Sequence, residues 1–117
     1  MGIDLRLLPF DCDQGALVYS HTILDLGRNC ELQREIRKLP ALPVPDNFRS
    51  FVGREPEYNG ICYGVTNKTP YGDPLQFVLA GNLCAVDLPK EAGHIEQAIW
   101  AYLKCLPHQT KVALYWN

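Results

Sequence analysis

The densest run of chemistry-bearing residues in this chain is Asn67-Lys68-Thr69-Pro70-Tyr71-Gly72-Asp73-Pro74. A cation, hydrogen-bonding side chains and a ring that can stack lie within it, beside what reads as a helix start. Proline is favoured at a first helical position and Asp73 before it is a good N-cap, so the pattern predicts a helix from Pro74. Such a start presents unpaired N–H groups and a partial positive charge that suit a phosphate or carboxylate. Asn67, Lys68, Thr69 and Tyr71 are therefore candidate ligand-binding residues, and Arg49 and Arg54 in the preceding segment are placed to fold over the same spot. Asp73 is the internal objection. If it caps the helix, the segment is architecture; if it turns away, the backbone donors are free for an anion.

The second candidate centres on His21, one of three histidines. Asp25 follows four residues later on the same face of a predicted strand. It lies about 13 Å away, too far for a hydrogen bond. A catalytic pair would draw instead on Asp11 or Asp13, which flank a turn and could do acid–base work or hold a hard cation. Two acids around a turn are also ordinary turn formers. His94 and His108 flank a helix and read as capping or surface residues. Ser20 and Thr22 neighbour His21 in sequence but point to the opposite strand face. No nucleophile elbow, Walker loop, zincin helix or dinucleotide fingerprint is present. No catalytic residue, cofactor or metal ligand is assigned.

The elements that must position these groups follow from periodicity. Ile3, Leu5 and Leu7 alternate with Asp4 and Arg6 as a half-buried strand that Pro9 ends, and residues 17–26 read as a second strand, paired antiparallel to the first. Asn29 is a plausible N-cap for a short helix with Leu32, Ile36 and Leu39 on one face and Arg34, Glu35, Arg37 and Lys38 on a solvated one. Prolines and glycines break residues 40–73, leaving 40–60 as a long loop anchored by Val44, Phe48, Phe51 and Val52, and 61–66 as a short edge strand. Residues 75–86 carry helical spacing, although Leu75, Phe77 and Leu79 also alternate as a strand would. Ile95, Ala98, Ile99, Tyr102, Leu103 and Leu106 define the clearest helix, stopped by Pro107. Residues 111–117 form a β-rich terminal strand that must dock in a sheet. The sum is one α+β domain over 1–117, a mainly antiparallel sheet of three to five strands with about three helices packed on it.

Composition narrows the class further. The formal net charge is −2, with 47% hydrophobic and 21% charged residues. Charge of both signs is spread evenly, so no segment makes a footprint for duplex nucleic acid. No apolar run approaches the ~20 residues needed to cross a bilayer. Five cysteines without metal-ligand spacing, in a sequence without a signal peptide, point to a reducing cytoplasm and to thiols serving mostly as small core residues. Trp100, Tyr115 and Trp116 are either core or interface aromatics.

The stretches Asp4-Leu5-Arg6-Leu7-Leu8-Pro9-Phe10-Asp11, Thr69-Pro70-Tyr71-Gly72-Asp73-Pro74-Leu75 and Lys111-Val112-Ala113-Leu114-Tyr115-Trp116 give the chain a further character. It resembles a group of small uncharacterised proteins encoded by bacteriophages. The likeness covers most of the chain, includes no catalytic motif and carries over no residue roles. It implies a setting in host cytoplasm, where such proteins bind and block host components, including immune effectors and the nucleotide signals that activate them. The expected function is therefore a binding protein that sequesters a phosphorylated nucleotide-like molecule or inhibits a host defence protein. The alternatives are a small enzyme acting on a nucleotide or nucleic acid through His21 with Asp11 or Asp13, and an oligomeric structural protein. Symmetric self-association is the default for domains of this size.

Overall fold

The computed structural model describes residues 3–10, 18–20, 22–46, 48–54, 63–66, 69 and 72–116, with backbone alone for 18–20, 49–54 and 63–66. In chain order the elements are β1 (Leu5–Phe10), β2 (Val18–Ser20), β3 (Leu24–Gly27), α1 (Cys30–Arg37), β4 (Leu42–Pro43), β5 (Phe48–Arg54), β6 (Tyr63–Thr66), β7 (Gln76–Leu79), α2 (Ala80–Cys84), α3 (His94–Cys105) and β8 (Lys111–Trp116). Five strands form an antiparallel sheet in the order β3-β1-β8-β7-β4, and β2-β5-β6 form a smaller one. The architecture is α+β.

β1 and β8 are central because both of their faces are apolar. Leu5, Leu7, Val112 and Leu114 point to one side, where they meet Leu32 and Ile36 of α1 and Ile99, Trp100 and Leu103 of α3. Leu8, Phe10, Ala113 and Tyr115 point to the other, against Phe48 and Leu75. Strands buried on both faces read as near-continuous apolar runs, and Val112-Ala113-Leu114-Tyr115 is one. Register aligns Leu5 with Trp116 and Phe10 with Lys111. Phe48 has no exposed surface and lies 4.7 Å from the Phe10 ring, fastening the start of β5 to the larger sheet.

Several expectations change. Pro9 does not end β1, which continues through Phe10 and pairs Pro9 with Val112. The predicted second strand is two: β3 pairs antiparallel with β1, as expected, but β2 runs parallel to β5 in the other sheet. Part of the expected 40–60 loop is β4 and β5. The helix expected from Pro74 begins only at Ala80, because residues 76–79 extend beside β8 and their alternation wins. The terminal strand docks in the middle of the larger sheet, and β6, the described part of the expected 61–66 strand, sits at an edge of the smaller one. Among the described residues, no helix is long and apolar enough to cross a membrane.

Two side chains fix α1. The Asn29 Oδ1 accepts from the Leu32 N–H at 3.0 Å, satisfying one donor of the first turn. The buried Gln33 amide donates to the Ile3 carbonyl and, at 3.0 Å, to the Gly27 carbonyl, tying the helix to the start of β1 and the end of β3. α3 is held by Trp100, whose indole N–H donates to the Val86 carbonyl at 2.9 Å. Trp100 and Tyr115 are thus core residues.

Candidate functional site

Thr69, Gly72 and Asp73 are tied together by hydrogen bonds, and no helix starts at Pro74. The Thr69 N–H donates to the Asp73 carbonyl at 2.8 Å, and the Gly72 N–H donates to the Thr69 carbonyl at 3.0 Å. The Asp73 N–H in turn donates to the Thr69 hydroxyl at 3.3 Å. Gly72 sits at φ 88°, a left-handed conformation that favours glycine. Asp73 therefore caps no helix. The anion site expected from a helix N-terminus is not formed, because a strand follows instead, paired with β8 on one side and β4 on the other.

Thr69 nevertheless lines a cavity of about 380 Å³, together with Arg37, Asp73, Gln76 and Trp116. The cavity arises from how α1 is pinned. Arg37 lies four residues beyond Gln33, on the same helical stripe, and so reaches past Ile3 to the end of the sheet where Leu5 pairs with Trp116. Its guanidinium lies over the Trp116 ring at 4.2 Å from the centroid. That stacking attracts the cation and holds its face, leaving the edge N–H groups for a ligand. Among the described residues, no carboxylate forms an ion pair with Arg37; the pairs present are Arg6–Asp25, Arg28–Asp4 and Lys38–Glu35. Thr69 is buried, while Asp73 and Gln76 are exposed at the mouth.

Of the expected binding residues, Thr69 is thus placed at this cavity. Arg49 and Arg54 occupy register positions in β5 opposite Tyr19 and Tyr63. Asn67, Lys68, Tyr71 and His21, with Asp11 and Asp13, lie outside the described residues. Asp25 is drawn to Arg6, at 3.6 Å, on the neighbouring strand. His94 is the first residue of α3, and His108 packs its β-carbon and carbonyl against Gly81. Arg37, Gln76 and Trp116 were not singled out as a site by linear spacing. In sequence Arg37 belongs to a solvated helix face and Trp116 is a core or interface aromatic; only the docking of α1 over the end of β8 joins them.

Of the thiols, Cys30 and Cys105 are exposed and Cys84 is half-buried, so the first two do not serve as core residues. Burial pushes the Cys84 thiol up, opposed by the Lys104 charge. Burial likewise pushes the Tyr115 phenol up, opposed by Arg6. Among the described residues, no group of three His, Cys, Asp or Glu side chains could hold a metal ion. Compared with known proteins, the chain matches no family model, and no curated protein or solved structure is significantly similar to it.

Proposed function

We propose that the chain is a non-enzymatic binding protein that sequesters a phosphorylated, nucleotide-like small molecule in the cavity between Arg37 and Asp73. The observation that carries this reading is an arginine stacked on Trp116 without an ion-pair partner among the described residues, at the mouth of a cavity with both donors and acceptors. Guanidinium edges match phosphate oxygens in geometry as well as charge. Asp73 repels a phosphate close to it, so the phosphate belongs on the Arg37 side. The Asp73 carboxylate and the Gln76 amide then suit the donor groups of a sugar or base. The volume of about 380 Å³ falls at the small end of the ~300–1,000 Å³ usual for ligand sites, the size of one nucleotide rather than a dinucleotide cofactor. In the phage setting, such binding would withdraw an immune signal from its receptor.

Isothermal titration against nucleoside mono- and diphosphates and cyclic mono- and dinucleotides tests the reading. At least one should bind, and Arg37→Ala should weaken it roughly 10- to 100-fold, the worth of a charge-assisted hydrogen bond. No heat from any of them at high micromolar concentration, with a folded sample, refutes it.

A further inference from the structure

The cavity beside Trp116 is lined by two opposite charges that do not neutralise each other. Arg37 and Asp73 both line it, yet among the described residues neither forms an ion pair, with the other or with a third group. Gln76 is the next polar side chain at the mouth, and its amide likewise makes no hydrogen bond among the described residues. Only the backbones are committed. The Asp73 N–H donates to the Thr69 hydroxyl at 3.3 Å, and the Asp73 carbonyl accepts from the Thr69 N–H at 2.8 Å. Gln76 is fixed in β7 between Leu114 of β8 and Pro43 of β4. A carboxylate and an amide are thus displayed from a backbone that is already ordered, which lowers the cost of binding to them.

Resting on the nucleotide reading of this cavity, we propose that the base it selects is guanine, read by Asp73 together with Gln76. An ionised carboxylate only accepts hydrogen bonds, and it accepts two in parallel where two donors stand side by side. Among the common bases, guanine alone carries such a pair on its pairing edge, the N1–H and the 2-amino group, with the O6 acceptor next to them. Adenine and cytosine set one amino group beside a ring nitrogen whose lone pair a carboxylate repels. Uracil sets a single N–H between two carbonyls, which a carboxylate repels as well. The Gln76 amide supplies the complementary donor for O6, since its nitrogen donates where Asp73 cannot. The two unpaired charges also fix the direction of the ligand. The phosphate is drawn to Arg37 and excluded from Asp73, so the base is left for the carboxylate.

The test titrates the full chain calorimetrically with the monophosphates of guanosine, inosine, adenosine and xanthosine. Guanosine monophosphate should bind about tenfold more tightly than adenosine monophosphate, because a site that pairs donors rejects an analogue presenting a lone pair. Inosine monophosphate, which keeps the N1–H but lacks the 2-amino group, should fall between them. Asp73→Asn exchanges one acceptor for a donor at an exposed position. That variant should prefer xanthosine monophosphate, whose 2-carbonyl accepts where guanine donates, and so invert the guanosine-to-xanthosine ratio. Arg37→Ala should weaken all four by a similar factor and leave their order unchanged. Equal affinity for the guanosine and adenosine compounds overturns the inference, by moving Asp73 onto the ribose, and leaves the nucleotide reading standing. An order of bases that Asp73→Asn does not alter overturns it in the same way. Binding by none of the four also overturns it, and the nucleotide reading falls with it only if the diphosphates and cyclic nucleotides fail as well.

Discussion

Phe48 is the point at which the fold is most exposed to a single change. Its ring has no solvent exposure, lies 4.7 Å from Phe10 at 60°, and shares a cluster with Leu8, Leu75, Ala113 and Tyr115. It is also the first residue of the strand that links β2 and β6. Truncation to alanine removes the apolar burial of a whole ring and leaves a cavity that β1 and β8 cannot collapse to fill, since both are clamped by partners on either side. Large-to-small changes of this kind cost about 3–5 kcal/mol. Against the ~6–17 kcal/mol total expected for a domain of this length, that is a large share of the stability. Phe48→Ala should therefore lower the urea midpoint with an unchanged slope, and lower Tm by roughly 10–25 °C. A cycle of Phe10→Leu and Phe48→Leu should return a coupling of about 0.5–1.5 kcal/mol for the tilted ring pair. A loss below about 1 kcal/mol for Phe48→Ala would refute the seating of β5 on the larger sheet, because no fully buried phenylalanine in a rigid site is that cheap to remove.

Asn29→Ala should destabilise by about 1 kcal/mol through loss of the cap on Leu32, measured by urea unfolding, whereas Asn29→Asp should be nearly neutral. Alkylation by iodoacetamide at pH 8, resolved by peptide mass spectrometry, should label exposed Cys30 and Cys105 well before Cys84, whose thiol burial pushes up. Stability should also fall in alkali. The folded thiol of Cys84 and phenol of Tyr115 hold their protons above the ordinary values of 9.0 and 10.0, so their contributions are complete below those values and are lost as pH rises through the folded ones. Urea midpoints at pH 8, 9.5 and 10.5 should decline, and less steeply in Tyr115→Phe; an identical decline in that variant would refute the role of the phenol.

Local signals were enough wherever an element is amphipathic or capped. α3 and α1 follow from the spacing of Ile99 and Leu103 and from Asn29 with Leu32 and Ile36, because a helix has a distinctive period and a chemical start. Residues 75–79 show the opposite case. Their apolar spacing satisfies both periods, and what decides between them is the ladder offered by β8, a partner more than thirty residues later. β5 was hidden by the prolines before it and the glycine within it, although Phe48, Phe51 and Val52 are good strand residues. The cavity was less legible still. Thr69 was visible as turn chemistry, but Arg37 and Trp116 have no relation in sequence; a hydrogen bond from Gln33 to the start of β1 brings them together.

The position of β8 has a kinetic consequence. The pairing of Leu5 with Trp116 spans about 110 residues, and β8 supplies the ladder for β1 on one side and β7 on the other. Until residues 111–116 leave the ribosome, β1 and β7 each lack a neighbour, and their apolar faces have no central strand to pack beside. Such long-range contacts slow folding because loop closure precedes any contact energy. A nascent chain that has released β7 but not yet β8 therefore carries two open strand edges, which makes it a substrate for holdase chaperones and prone to aggregate until β8 inserts.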